Sequence, residues 1–177
     1  MPLNIRLTLD PAGIDAAARQ LEAYANKLPD IAERIAKGLA DKGYQVAYSI
    51  LAGHVFDGET ISSLMVTNEG NGQFLLSASS RAILFLEFGA GMRYAAPHPW
   101  ASEQGMGAGT YPGQTHADDP NGWWFPTDDP RLIVRRGADG QGWGHSYGMP
   151  PYMPFYRSSE EMRRDILEVA RSVFASA

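Results

Sequence analysis

The chain has 177 residues, enough for one domain with a proper core and too few for two full ones. Fifteen Lys and Arg against 20 Asp and Glu leave a formal net charge of −5, which argues against broad capture of nucleic acid or anionic membrane. Without cysteine, disulfide staples, thiolate zinc sites and a cysteine nucleophile are excluded.

The first residues, Met1-Pro2-Leu3-Asn4-Ile5-Arg6, lack a basic segment leading into an apolar stretch of export-signal length, so synthesis in a cytoplasm is expected. Leu3, Ile5, Leu7 and Leu9 alternate with Asn4, Arg6 and Thr8, which predicts a strand with one buried face. Asp10-Pro11 predicts an abrupt helix start, because Asp accepts from free amides and Pro is tolerated at the first helical position. Ile14, Ala17, Leu21, Ala25, Leu28, Ile31, Ile35, Leu39, Val46 and Ile50 then follow at spacings that make one apolar helical stripe. Pro29 interrupts it, since proline removes a hydrogen bond and collides with the preceding turn; two helical segments are expected, with Gly53 as the stop.

Leu64 to Thr67 and Gln73 to Ala78 flank Asn68-Glu69-Gly70-Asn71-Gly72, a hairpin pattern. Ala82 to Phe88 is apolar except for Glu87, which fits a buried strand and a short buried helix equally, and falls far short of the roughly 20 residues of a membrane helix. From Gly89 to Pro130 no period persists, a composition typical of functional loops or of segments ordered by a partner. Leu132-Ile133-Val134 is a short strand candidate, and the flanking Arg131, Arg135 and Arg136 read as a solvated edge that discourages sheet aggregation. Ser158 with Glu161 forms a capping-box signature that predicts the start of the last helix, carrying Met162, Ile166, Val169, Val173 and Phe174. Glu160 and Glu161 would then lie at its beginning and Arg171 near its end, as the helix dipole favours. Leu21, Leu28, Ile35, Val46, Ile166 and Phe174 are the expected core.

Enzymatic chemistry finds no anchor. His116, Asp118 and Asp119, with His98 and His145 as outside recruits, offer metal-ligating groups without a ligand motif, and a polar turn into Pro120-Asn121-Gly122 is the better account. Gly105, Gly107 and Gly109 are followed by Thr110-Tyr111-Pro112-Gly113 instead of a helix start, so they do not make a phosphate cradle. The serines at 77, 79 and 80 lie in no nucleophile elbow. No catalytic, cofactor-binding or metal-binding residue is therefore assigned. Trp100, Trp123, Trp124 and Trp143, with Tyr111 and Tyr147, are candidates for protein contact, because rings in glycine-rich loops offer much area at little entropic cost. Stacking on single-stranded bases is disfavoured by the net charge.

Three phrases stand in a particular order. They are Leu86-Glu87-Phe88-Gly89-Ala90-Gly91, then His98-Pro99 with Gly122-Trp123, then Gly148-Met149-Pro150-Pro151-Tyr152-Met153-Pro154-Phe155 running into the last helix. With the helix-rich first third and the Asp57-Gly58-x-Thr60-x-x-Ser63-Leu64 stretch, this order resembles the head-to-tail joining, or tail-completion, proteins of long-tailed bacteriophages. The resemblance covers the chain from Leu21 onward. It implies a non-enzymatic virion component with an α+β fold, in which a long N-terminal helix or kinked helix pair and a C-terminal helix pack on a small, mainly antiparallel sheet. One domain over residues 1–177 is expected, with a loop-rich insertion at about 89–130 that is longer and richer in Gly and Trp than the family leads one to expect. The implied partners are copies of itself in a head-to-tail ring and the neighbouring neck and tail proteins: connector, stopper, terminator and tail tube. DNA would be only cargo in the channel, with no cofactor and no membrane contact, and the implied location is the virion neck. An acidic subunit suits a channel through which DNA slides. A tail-terminator ring is the nearest alternative; a metal-dependent hydrolase using His116, Asp118 and Asp119 and a small nucleic-acid-binding protein are the alternatives from other classes.

Overall fold

The structure is a computed structural model that describes residues 8, 10–54, 58–80, 82–91, 93, 98–101, 103 and 119–176. The predicted strand from Leu3 to Leu9 lies, but for Thr8, outside the described residues, as do Tyr111, His116, Asp118 and the glycine run at 105–109. The fold is α+β. Its order is α1 (Pro11–Ala25), α2 (Leu28–His54), α3 (Gly58–Ser62), β1 (Met65–Gly70), β2 (Gln73–Ser77), α4 (Ile83–Phe88), β3 (Trp123–Pro126), β4 (Arg135–Arg136), β5 (Gly142–Ser146) and α5 (Pro154–Ala175).

The N-terminal helical region is bent, as Pro29 led one to expect. Asn26 and Lys27 separate α1 from α2, and Pro29 occupies the second position of the new helix, where a missing amide costs nothing. Asp10 caps α1 by accepting from the Gly13 amide at 2.9 Å, with Pro11 at the first position. Gly53 is not the stop: its backbone is not left-handed and α2 runs on to His54, whose ring stacks on Tyr152 at 3.7 Å. The open segment at 82–88 is a helix, with Leu86, Glu87 and Phe88 buried.

Two compact units divide the chain. The first comprises Met1–Val46, Leu64–Ser77 and Ser158–Ala177. Here α2 and α5 run antiparallel and pack closely through small residues. A Cβ on Gly43 would lie 2.8 Å from the Met162 sulfur, and one on Gly38 would lie 3.0 Å from Val169. Ser158, fully buried, donates from Oγ to the Gly43 carbonyl at 2.8 Å. Lys42 bonds Asp165 at 2.6 Å, and that hydrogen bond holds the Asp165 carboxyl below its ordinary range and the Lys42 ammonium above its own. Glycines on α2 thus receive side chains of α5, and several large residues of the expected core lie outside this contact. Leu21, Leu28, Ile166 and Phe174 are exposed and Ile35 and Val46 half-buried, while Ala17, Ile31, Ala40 and Val169 are buried. The hairpin β1–β2 closes through Asn71 and Gly72, both left-handed (φ 51° and 73°), a two-residue turn whose twist suits antiparallel strands.

The second unit comprises Ala47–Ser63 and Ala78–Arg157. Its sheet has the order β3-β5-β4, antiparallel throughout, with Trp124 opposite His145 and Arg135 opposite Trp143. Thus a strand interrupts the stretch read as aperiodic to Pro130. The strand expected at Leu132–Val134 is displaced to Arg135–Arg136: Leu132 donates to Asp129 in a turn, and the chain first reaches β5 where the Val134 amide bonds Trp143. The last helix begins at Pro154, four residues before the predicted cap, for a reason found in the site below.

Candidate functional site

The three phrases that carry the resemblance meet in the second unit. Ala90 and Met149 exchange both backbone hydrogen bonds at 2.9 Å, and the amides of Tyr152 and Met153 donate to the Leu86 carbonyl. This contact requires glycine: Gly89 (φ 77°) has no room for a Cβ against Pro151, and Gly148 (φ 90°) none against the Ala90 carbonyl.

At the centre of this contact is Glu87, 5% exposed. Its Oε2 accepts from the Phe155 amide at 2.8 Å, and its Oε1 accepts from the Tyr156 amide at 2.9 Å and from His98 at 2.9 Å. Phe155 and Tyr156 are in the first turn of α5, so a carboxylate 68 and 69 residues upstream satisfies amides that a helix leaves free and places negative charge at the positive end of its dipole. That is why the helix starts at Pro154 and why Ser158 lies inside it, facing α2 instead of capping. Glu160 and Glu161 are accordingly one turn further along, paired with Arg163 and Arg164.

The tautomer of His98 follows from its partners. The Trp100 amide can only donate, and it donates to Nδ1 at 3.1 Å; the proton of the neutral ring is therefore on Nε2, aimed at Glu87. All three partners of Glu87 are donors, and its carboxyl accepts from each of them. Phe88, Trp100 and Tyr156 surround the His98 ring at 4.5 to 5.8 Å, and Trp100 meets Tyr156 at 5.2 Å.

A second feature lies on the β3-β5-β4 sheet. One face is floored by glycine: the Phe125 ring covers Gly144, and Ile133 covers Gly142. By alternation and register the other face carries Trp124, Trp143, His145 and Arg135, with Tyr147 just beyond β5. The guanidinium of Arg135 lies 3.8 Å from the Trp124 ring centre, Trp124 meets His145 edge-on at 4.6 Å, His145 meets Tyr147 at 4.6 Å, and Arg93 lies 4.3 Å over Tyr147. Trp124 and Tyr147 remain 39% and 43% exposed. Rings held in this way offer a preorganised cationic and aromatic surface. At its margin Arg131 grips Asp129 and holds that carboxyl down to about 2.

Of the six candidate contact residues, the structure brings Trp124, Trp143 and Tyr147 onto one face. Trp100 lies beside His98, Trp123 is on the reverse face against Gly91, and Tyr111 is outside the described residues. Asp119 accepts from the Asn121 amide at 2.9 Å, as the polar-turn reading expects. Among the described residues no group of three or more His, Asp or Glu is arranged to hold a metal ion. Sequence reasoning missed the roles of Glu87, His98, Arg93 and His145; a lone acid in an apolar run was the available signal for the first. No family model, curated protein or solved structure matches the chain.

Proposed function

We propose that this protein is a non-enzymatic ring subunit of the neck of a long-tailed bacteriophage, joining the DNA-filled head to the tail by binding. The observation that carries the reading is the exposed face of Trp124, Trp143, His145, Tyr147, Arg93 and Arg135, a surface suited to protein contact on an otherwise acidic chain. Exposed Ile14, Leu21, Leu28 and Ile166 on the helices add apolar area that a head-to-tail neighbour would cover. The junction of the three resembling phrases adds coherence to the resemblance itself.

The test is deletion of the gene from the phage or prophage that carries it, with electron microscopy of the lysate. Separate DNA-filled heads and tails of normal length are expected. Tails of uncontrolled length would assign the terminator role instead, and intact infectious particles would overturn the neck reading. Complementation with Trp124→Ala plus Tyr147→Ala, expected to fail although the protein folds, ties the function to this face.

A further inference from the structure

A cavity of about 390 Å³ opens beside Glu87 in the second unit, independent of the neck reading. Its size is that of a small ligand site. Leu84, Phe88, Trp100 and Phe155 form apolar and aromatic walls, and among the described residues that line it the charges are those of Glu87 and Glu103. Both are negative. Concave aromatic surface with carboxylates favours one chemistry above others, a cation on an apolar stem, because ring faces and acids attract the charge while the walls take the carbons.

The surroundings fix this arrangement in advance. Glu87 accepts from three donors, two on Oε1 and one on Oε2, so Oε2 is the less occupied oxygen of the pair. The Trp100 backbone is tied by its amide hydrogen bond to His98, and its ring meets Tyr156 edge-on at 5.2 Å. His98 donates to Glu87 within this network and is not among the described residues that line the cavity. A neutral ligand would gain only the walls, and an anion would face both carboxylates.

We propose that this cavity binds an organic cation, a guanidinium or ammonium on a short apolar stem, whether a free small molecule or the side chain of an arginine or lysine. The test titrates the full chain with butylguanidinium, followed by the indole NMR signal of Trp100, against valeramide as the neutral match and valerate as the anion. Butylguanidinium should saturate with a dissociation constant on the order of 1 mM, as its few heavy atoms allow. Glu103→Gln, at an exposed position where folding is not at stake, should weaken it about threefold to tenfold. Trp100→Leu, which keeps apolar volume and removes the ring, should weaken the cation and leave valeramide unchanged. Acetyl-arginine-methylamide distinguishes the sources: binding like butylguanidinium supports a protein side chain, and exclusion while butylguanidinium binds supports a free cation. Equal binding of valeramide, indifference to Glu103→Gln, or no saturation by any cation would overturn the proposal.

Discussion

Replacing Glu87 by Ala removes one side chain and strands three donors. Hydrogen bonds to a charged acceptor contribute about 1.5–3 kcal/mol each, and the donors here are the amides of Phe155 and Tyr156 and the Nε2 proton of His98. The two amides open a helix and can recover water, for which helix-cap losses of about 0.5–2 kcal/mol are the guide, whereas His98 is 5% exposed and cannot. The sum is a loss of about 3–5 kcal/mol, a large share of the roughly 5–15 kcal/mol that stabilises a domain. Glu87→Gln separates the contributions. Its carbonyl can still accept from Tyr156 and His98, but its amide meets the Phe155 amide donor to donor, for a loss of about 1.5–3 kcal/mol. Urea denaturation followed by tryptophan fluorescence measures both, and amide exchange at Phe155 and Tyr156 should quicken in step. An Ala variant within about 1 kcal/mol of the parent, or Ala and Gln variants of equal stability, would refute the long-range cap.

Gly148→Ala, at φ 90° and against the Ala90 carbonyl, should cost more than about 2 kcal/mol by thermal melting, whereas Gly53→Ala, with open space around it, should stabilise α2 by about 0.5–1 kcal/mol. Ser158→Leu should cost about 2–3 kcal/mol, since the site is fully buried between close helices. The Asp129 carboxyl should titrate near 2 by NMR and move towards 3.8 in Arg131→Ala. Because the folded value is the lower one, the stabilisation it gives is complete above about 4 and disappears as pH falls through about 2, so Asp129→Asn should flatten the stability curve in that window alone.

Local chemistry was legible in the sequence wherever neighbours along the chain decide the outcome. The Asp10-Pro11 start, the break around Pro29 and the Asn71-Gly72 turn follow from the dihedral preferences of those residues, and the structure forms all three. What escaped depends on distant partners. No window around Ser158 contains Glu87, which moves the helix start by four residues. The four-residue strand at Trp123 exists because Gly142 and Gly144 leave space for Ile133 and Phe125 on one side of its partner strand, and short strands have too few residues to display a period. The stripe on α1 and α2 was read correctly as helical and only in part as core: Ala17 and Ile31 are buried, Leu21 and Leu28 are exposed, and periodicity cannot report that the close approach to α5 falls at Gly38 and Gly43. Within the candidate site, the clustering of rings was visible, but the assembly of Trp124, Trp143 and Tyr147 on one face with Arg93 and Arg135 depends on strand register.

The first unit is assembled from three separate stretches of chain, and its main helix pair joins residues on either side of the whole second unit. On the ribosome this imposes an order of events. The second unit is complete once Arg157 has emerged, whereas α2 must wait for Ser158 and the residues after it before Gly38 and Gly43 are covered. Until that docking the chain displays a helical face with Gly38 and Gly43 uncovered, so domain-swapped dimers should increase wherever docking of the residues after Ser158 is slowed.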